Sequence, residues 1–137
     1  MTNAVTAVPA APADAAQAHF AAKLAFETDC ADVQAALATD EPGFVLLDVR
    51  GPGAYAAAHV PGATSLPYAE MTAERLSPYP DGTLFVVYCA GPHCNGADKA
   101  AARLASLGRP VKLMIGGMTG WRAEGFALAA GDGSVAA

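Results

Sequence analysis

Cys89 closes an apolar run, Leu84-Phe85-Val86-Val87-Tyr88, and opens a turn-rich segment, Ala90-Gly91-Pro92-His93-Cys94-Asn95-Gly96, that leads into the helix-like stretch Ala97–Leu107. Strand, cysteine, tight loop and helix in that order place a sulfur at the carboxyl edge of a parallel sheet, facing backbone N–H groups and the positive end of a helix. The chemistry open to such a sulfur is nucleophilic. A free thiol titrates near ~8.5, and a helix N-terminus or a nest of amides brings it to roughly 3.5–7.5, so the placement predicts a Cys89 thiolate at neutral pH. Gly91 and Gly96 free the backbone to curl around the sulfur, and Pro92 fixes one φ.

Cys94 lies five positions further along the same loop. Two readings of it stand side by side. If the loop brings the sulfurs together, attack by Cys94 on the Sγ of a Cys89 that carries an added sulfur would release sulfide and close a disulfide, which needs Cα atoms about 4.4–6.8 Å apart. Otherwise Cys94 packs as a small apolar residue at the helix start. His93 is the loop's one group able to become cationic between Ala90 and Asp98, and at a reference pKa near ~6.5 it is mostly neutral at pH 7. Cys89, His93 and Cys94 do not complete a tetrahedral metal set, and no Gly-x-Gly-x-x-Gly fingerprint is present, so neither metal nor organic cofactor is expected.

The elements that must position this loop follow from periodicity. Phe44–Asp48, Leu84–Tyr88 and Val111–Ile115 read as strands, the first two as continuous apolar runs of the kind covered on both faces. Lys23–Thr28 suits a short edge strand with Leu24 and Phe26 on one face, and Thr64–Leu66 another short strand. Helices are expected over Ala31–Ala38, capped by Asp29, over Gly51–Ala58, over Tyr68–Leu76, and over Ala97–Leu107, closed by Gly108. Strands alternating with helices imply βα crossovers and a parallel α/β sheet. Residues 1–18, rich in Ala with Pro9 and Pro12, read as a flexible lead, 19–130 as one domain and 131–137 as a flexible tail.

Composition bounds the partners. A chain of 137 residues, 53% of them hydrophobic, can bury one sizeable core. The net charge of −5 and the lack of any Lys/Arg cluster argue against a nucleic-acid surface. No apolar run approaches the ~20 residues of a membrane span, and the N-terminus lacks a secretory pattern. Three cysteines make a poor disulfide framework, so a reducing compartment, by default the cytoplasm, is expected. Cys30, at the start of a helix, receives no role.

Four segments in order resemble the rhodanese (sulfurtransferase homology) domain. They are Leu46-Leu47-Asp48-Val49-Arg50, then Tyr55-Ala56-Ala57-Ala58-His59-Val60-Pro61-Gly62-Ala63, then Val87-Tyr88-Cys89 with its loop, and Gly116-Gly117-Met118-Thr119-Gly120-Trp121, together spanning about 43 to 128. The resemblance implies a three-layer α/β/α fold around a central, mainly parallel sheet of about five strands. It further implies a sulfurtransferase that moves sulfane sulfur through a Cys89 persulfide, from thiosulfate or a persulfide donor to a thiol or cyanide acceptor, with a protein acceptor as a further option. In that family the positions of Asp48 and Arg50 help organise the active-site region; by themselves the two residues also fit an ordinary ion pair. His59 fits a hydrogen bond that fixes the turn before Thr64, with catalysis as the other reading. Trp121 fits either an aromatic lid or the core.

Two departures narrow the chemistry. Familiar loops of this family carry Arg or Lys near the cysteine, where it helps to bind dianionic thiosulfate, and Ala90–Asp98 contains neither. Weak use of thiosulfate and preference for a persulfide or carrier-bound donor follow. The phosphatases and arsenate reductases of this fold place Arg six residues after the cysteine, and here that position is Asn95, which argues against their chemistry. A non-enzymatic sulfur carrier or regulatory binding module is the alternative, although inactive modules typically replace the cysteine.

Overall fold

The apolar runs before Asp48 and Cys89 have no polar side on which to face water, so each must be covered on both faces. The computed structural model, which describes residues 3–131 and the backbone of 134 and 135, meets that demand with three layers. In chain order the elements are α1 (Ala4–Ala7), α2 (Ala13–Phe26), β1 (Glu27–Thr28), α3 (Cys30–Leu37), β2 (Val45–Asp48), α4 (Pro52–Ala57) and β3 (Thr64–Ser65). A 3-10 turn (Tyr68–Glu70), α5 (Ala73–Leu76), β4 (Phe85–Tyr88), α6 (Gly96–Ser106), β5 (Val111–Met114), α7 (Gly117–Ala123), β6 (Ala129–Ala130) and β7 (Ser134–Val135) follow. Strands β1 to β5 form one five-stranded sheet in the order β1-β5-β4-β2-β3, and every pairing in it is parallel. The chain is therefore an α/β protein of the expected class.

Strand alternation sorts the core into two halves. Leu47, Phe85, Val87 and Cys89 pack toward α6, where Ala97, Ala100 and Leu104 form the buried stripe, together with Met71 and Leu76. Leu46, Val86, Tyr88 and Met114 pack the other way, toward Cys30 and Val33 of α3, Val60, and Met118 and Trp121 of α7. Register carries this through the sheet: Asp48 sits opposite Tyr88, and Leu47 opposite Val87.

Several sequence expectations need correction. Lys23–Phe26 is the last turn of α2 and not a strand; only Glu27 and Thr28 pair with β5. The Ala-rich stretch that precedes them has high helix propensity, and it carries the chain into helix from Ala13, within the segment read as a lead. Leu24 and Phe26 accordingly point outward, 72% and 68% exposed, and do not share a buried strand face. Tyr68–Leu76 is not one helix. Met71 is extended (ψ 92°), and Thr72 accepts a hydrogen bond from the Arg75 N–H, restarting the chain as α5. Helix α7 and the β6–β7 pair were not anticipated; β7 falls in the expected tail, and the rest of that tail beyond Gly131 lies outside the described residues.

Candidate active site

The end of β4 divides the functional residues between the two layers. Tyr88 turns toward α7 and Cys89 toward α6, because successive residues of a strand face opposite sides.

On the α7 side, Asp48 is fully buried and its carboxylate is saturated. It accepts from the Arg50 backbone N–H (3.0 Å), from the Arg50 guanidinium through Nε (3.0 and 3.1 Å) and NH2 (2.7 Å), and from the Tyr88 hydroxyl (2.8 Å). Tyr88 Oη in turn accepts the Val60 N–H at 3.1 Å, and Arg50 reaches on to the carbonyls of Ala54 and Ala58. Burial, then the Asp48 charge, pushes the Tyr88 hydroxyl far above the ordinary phenol range, so it stays protonated and donates. Burial works against the Arg50 charge, yet hydrogen bonding to Asp48 and its carboxylate charge hold Arg50 above its usual value. His59, also buried, donates from Nδ1 to the Tyr55 carbonyl (2.7 Å) and stacks on the Tyr55 ring at 3.6 Å. Its backbone exchanges hydrogen bonds with Ala129. His59 thus fixes the turn, with Nε2 unpartnered among the described residues. Trp121 is a core residue: its indole N–H donates to the Ala127 carbonyl (2.8 Å), and its ring meets Phe126 edge-on.

On the α6 side the loop Ala90–Asn95 curls back so that Cys94 N–H donates to Gly91 O at 3.0 Å. The turn brings Cys94 Sγ to 2.6 Å from Cys89 Sγ, a hydrogen-bonded pair of free cysteines. Gly96 makes this possible through the side chain it lacks: a Cβ there would stand 2.9 Å from Cys89 Sγ and 3.3 Å from Cys94 Sγ. Neither Gly91 nor Gly96 takes a left-handed φ, so the freedom expected of them is not what the loop uses. From below, α7 holds the loop. Met118 N–H donates to Cys89 O, Thr119 N–H and Oγ1 donate to Ala90 O, and Gly117, at φ 55°, lets the two backbones touch.

The two thiols shift in opposite directions. Burial and the hydrogen bond with Cys94 raise the Cys89 thiol, and the N–H groups of Ala90 and Gly96 only partly oppose them. Cys94 goes down, because the Cys89 hydrogen bond and then the Gly96 N–H favour its anion, with a small contribution from Lys99. The expected lowering of the Cys89 thiol is therefore corrected: burial and the neighbouring sulfur push it up, and the downward shift falls on Cys94 instead. The amide cradle exists, but it is too sparse to outweigh burial and the second sulfur.

Both sulfurs line a cleft of about 480 Å³ at the carboxyl end of the sheet, whose walls include Gly91, Leu113, Ile115 and Gly116. Its ionisable lining besides the sulfurs is acidic, Glu27 from β1 and Asp98 from α6. Pro92, His93 and Asn95 stand at the outer rim around Cys94. Glu27 and Asp98 were missed by sequence reasoning; the signal would have been the register that puts β1 beside β5.

A model of the rhodanese-like domain matches residues 30–124. Of solved structures, the BH2092 protein of Bacillus halodurans is 36% identical, with a TM-score of 0.84 over 87% of each chain. A thiosulfate sulfurtransferase of Pseudomonas aeruginosa is 27% identical, with a TM-score of 0.64 over 85% of this chain and 22% of its own. A curated relative, an HTH-type transcriptional regulator (Rv0324) of Mycobacterium tuberculosis, is 40% identical over 81 residues; the chain spans about a third (35%) of its length. With the matched region covering β2 through α7 and both layers around the sulfur loop, the chain belongs to the rhodanese-like domain family.

Proposed function

We propose that this protein is a sulfurtransferase that carries sulfane sulfur as a persulfide on Cys89, taken from a low-molecular-weight or protein persulfide and passed to a thiol. The observation that carries the reading is the 2.6 Å approach of Cys94 Sγ to a buried Cys89 Sγ, both of which line an open cleft. Cys94 supplies the base that Cys89 needs. As Cys89 Sγ attacks the outer sulfur of a persulfide, its proton passes to Cys94, the donor's S–S bond breaks and the donor leaves as a thiolate. The N–H groups of Ala90 and Gly96 face Cys89 Sγ and favour negative charge on the persulfide formed there.

The cleft's charge selects the donor. Glu27 and Asp98 present carboxylates where thiosulfate would concentrate two negative charges on the transferring group, against at most one on a persulfide, and each like-charge contact at ~4 Å costs about 1 kcal/mol even in bulk water. Arg50 offers little relief, since Asp48 already neutralises it. Phosphatase or arsenate reductase chemistry lacks its cation, with Asn95 at the decisive position. The cycle needs reduced thiols, which suits the cytoplasm; among the described residues no helix is long and apolar enough to cross a membrane. The relation to part of a transcriptional regulator favours a second reading, in which persulfide loading of the same cysteine is a regulatory input.

Steady-state transfer from glutathione persulfide and from thiosulfate, to the same thiol acceptor, tests the proposal. We expect kcat/KM at least about tenfold higher with the persulfide, and loss of transfer in Cys89→Ser. A preference for thiosulfate would overturn the donor assignment, and a fully active Cys89→Ser would move the nucleophile to Cys94.

A further inference from the structure

We propose that the Cys89–Cys94 pair also gives this protein a reductive activity, in which Cys94 attacks the Cys89 persulfide and releases its outer sulfur as hydrosulfide. The inference rests on the Cys89 persulfide proposed above and extends it to a second fate for the bound sulfur. In the transfer cycle Cys94 needs only to hold a proton, and a carboxylate or imidazole would serve. A second sulfur at 2.6 Å adds something those groups lack, which is the ability to form a bond to Cys89 Sγ.

The placement of the two side chains suits this step. Cys89 is buried, while Cys94 is half-buried and borders both the inner cleft and the outer rim. An added sulfur on Cys89 has the cleft to occupy, leaving the inner Sγ adjacent to Cys94. Gly96 keeps the space around both sulfurs clear, since any Cβ there would press on each of them. Met118 and Thr119 anchor the carbonyls of Cys89 and Ala90, so the loop that must bring Cys94 onto Cys89 is held at one end and curled by its own Cys94–Gly91 hydrogen bond.

The balance is complete within the chain. Cys94 Sγ forms a bond to Cys89 Sγ, the bond from Cys89 Sγ to the outer sulfur breaks, and the proton held by Cys94 leaves with that sulfur as HS⁻. Two cysteine sulfurs are oxidised to a disulfide, and one sulfane sulfur is reduced to sulfide. A dithiol reductant, itself oxidised to a disulfide, returns Cys89 and Cys94 to thiols by exchange. Sulfur fate is then set by competition. An acceptor thiol that reaches the outer sulfur first completes transfer, and delay ends in sulfide and an oxidised, unloadable site.

A single-turnover experiment decides. Reduced protein freed of reductant is mixed with one equivalent of glutathione persulfide, sulfide is trapped with monobromobimane, and the chain is weighed intact and mapped by peptide. The wild type should release close to one sulfide per chain and end about 2 Da lighter, with Cys89 linked to Cys94; Cys94→Ala, which lacks the base and loads more slowly, should once loaded keep about 32 Da on Cys89 and release sulfide at least about tenfold more slowly. If the wild type instead holds the added sulfur as long as Cys94→Ala does, with no Cys89–Cys94 disulfide, reductive release is wrong while the transferase reading stands. If the wild type, with both thiols reduced, neither releases sulfide nor gains sulfur on Cys89 under any donor excess, the persulfide reading and the release step fall together.

Discussion

Tyr88 and Cys89 are neighbours at one strand end, and the two sides they face are built in opposite ways. Around Tyr88 the polar groups are buried and paired: Asp48 receives Arg50 and Tyr88, Tyr88 receives Val60, and Arg50 extends to two carbonyls. Around Cys89 the sulfurs have each other, two backbone amides and an open acidic cleft. A saturated network resists change because each member, once removed, strands another in low dielectric. A pair of sulfurs with few partners loses little when one is altered, and each can form new bonds. The contrast puts stability in Asp48, Arg50 and Tyr88, and the chemistry proposed above on Cys89 and Cys94.

The largest effect that would sharpen this contrast is Asp48→Ala. Removing a fully buried carboxylate leaves the Arg50 guanidinium and the Tyr88 hydroxyl without their acceptor, and we expect a loss of about 3 kcal/mol in denaturant unfolding. A loss below about 1 kcal/mol would mean that the network is not structural in the sense argued. Tyr88→Phe removes one donor from Asp48 and one acceptor from Val60, and should cost about 1–2 kcal/mol by the same measurement. Cys94→Ser should change the unfolding free energy by no more than about 0.5 kcal/mol; a cost matching that of Tyr88→Phe would erase the difference between the two sides. Smallest is Glu27→Gln, which removes one charge from the cleft and should raise kcat/KM for thiosulfate about threefold while leaving a neutral persulfide donor unaffected.

The sheet strands were legible because apolar runs bounded by turn residues leave few alternatives, and β2, β4 and β5 lie within a residue of their expected limits. Helix α6 was equally plain, from its buried Ala97, Ala100 and Leu104 stripe and the Gly108 stop. The break at Met71–Thr72 was not, since Thr72 competes with helix only once its side chain caps Arg75. Nor was α2, where exposed Leu24 and Phe26 imitate a strand face. At the site, sequence placed Cys89 correctly in its loop but assigned it the wrong direction of ionisation. The sign depends on how far the loop curls, and spacing alone does not say whether two sulfurs five residues apart will share a proton. Asp98 and Glu27 were hidden for a related reason: one lies across the loop, and the other on a strand that only tertiary pairing brings to the cleft.

That Cys94 is the more acidic of the two thiols is read out by site-resolved alkylation with iodoacetamide against pH. A thiol with a depressed pKa is reactive above that value and loses reactivity as pH falls through it; a thiol with a raised pKa gains reactivity only at higher pH. Cys94 should be labelled first, with an inflection below the ordinary thiol value of ~8.5, and Cys89 only above it. Cys89 labelled first, with an inflection below that of Cys94, would contradict it.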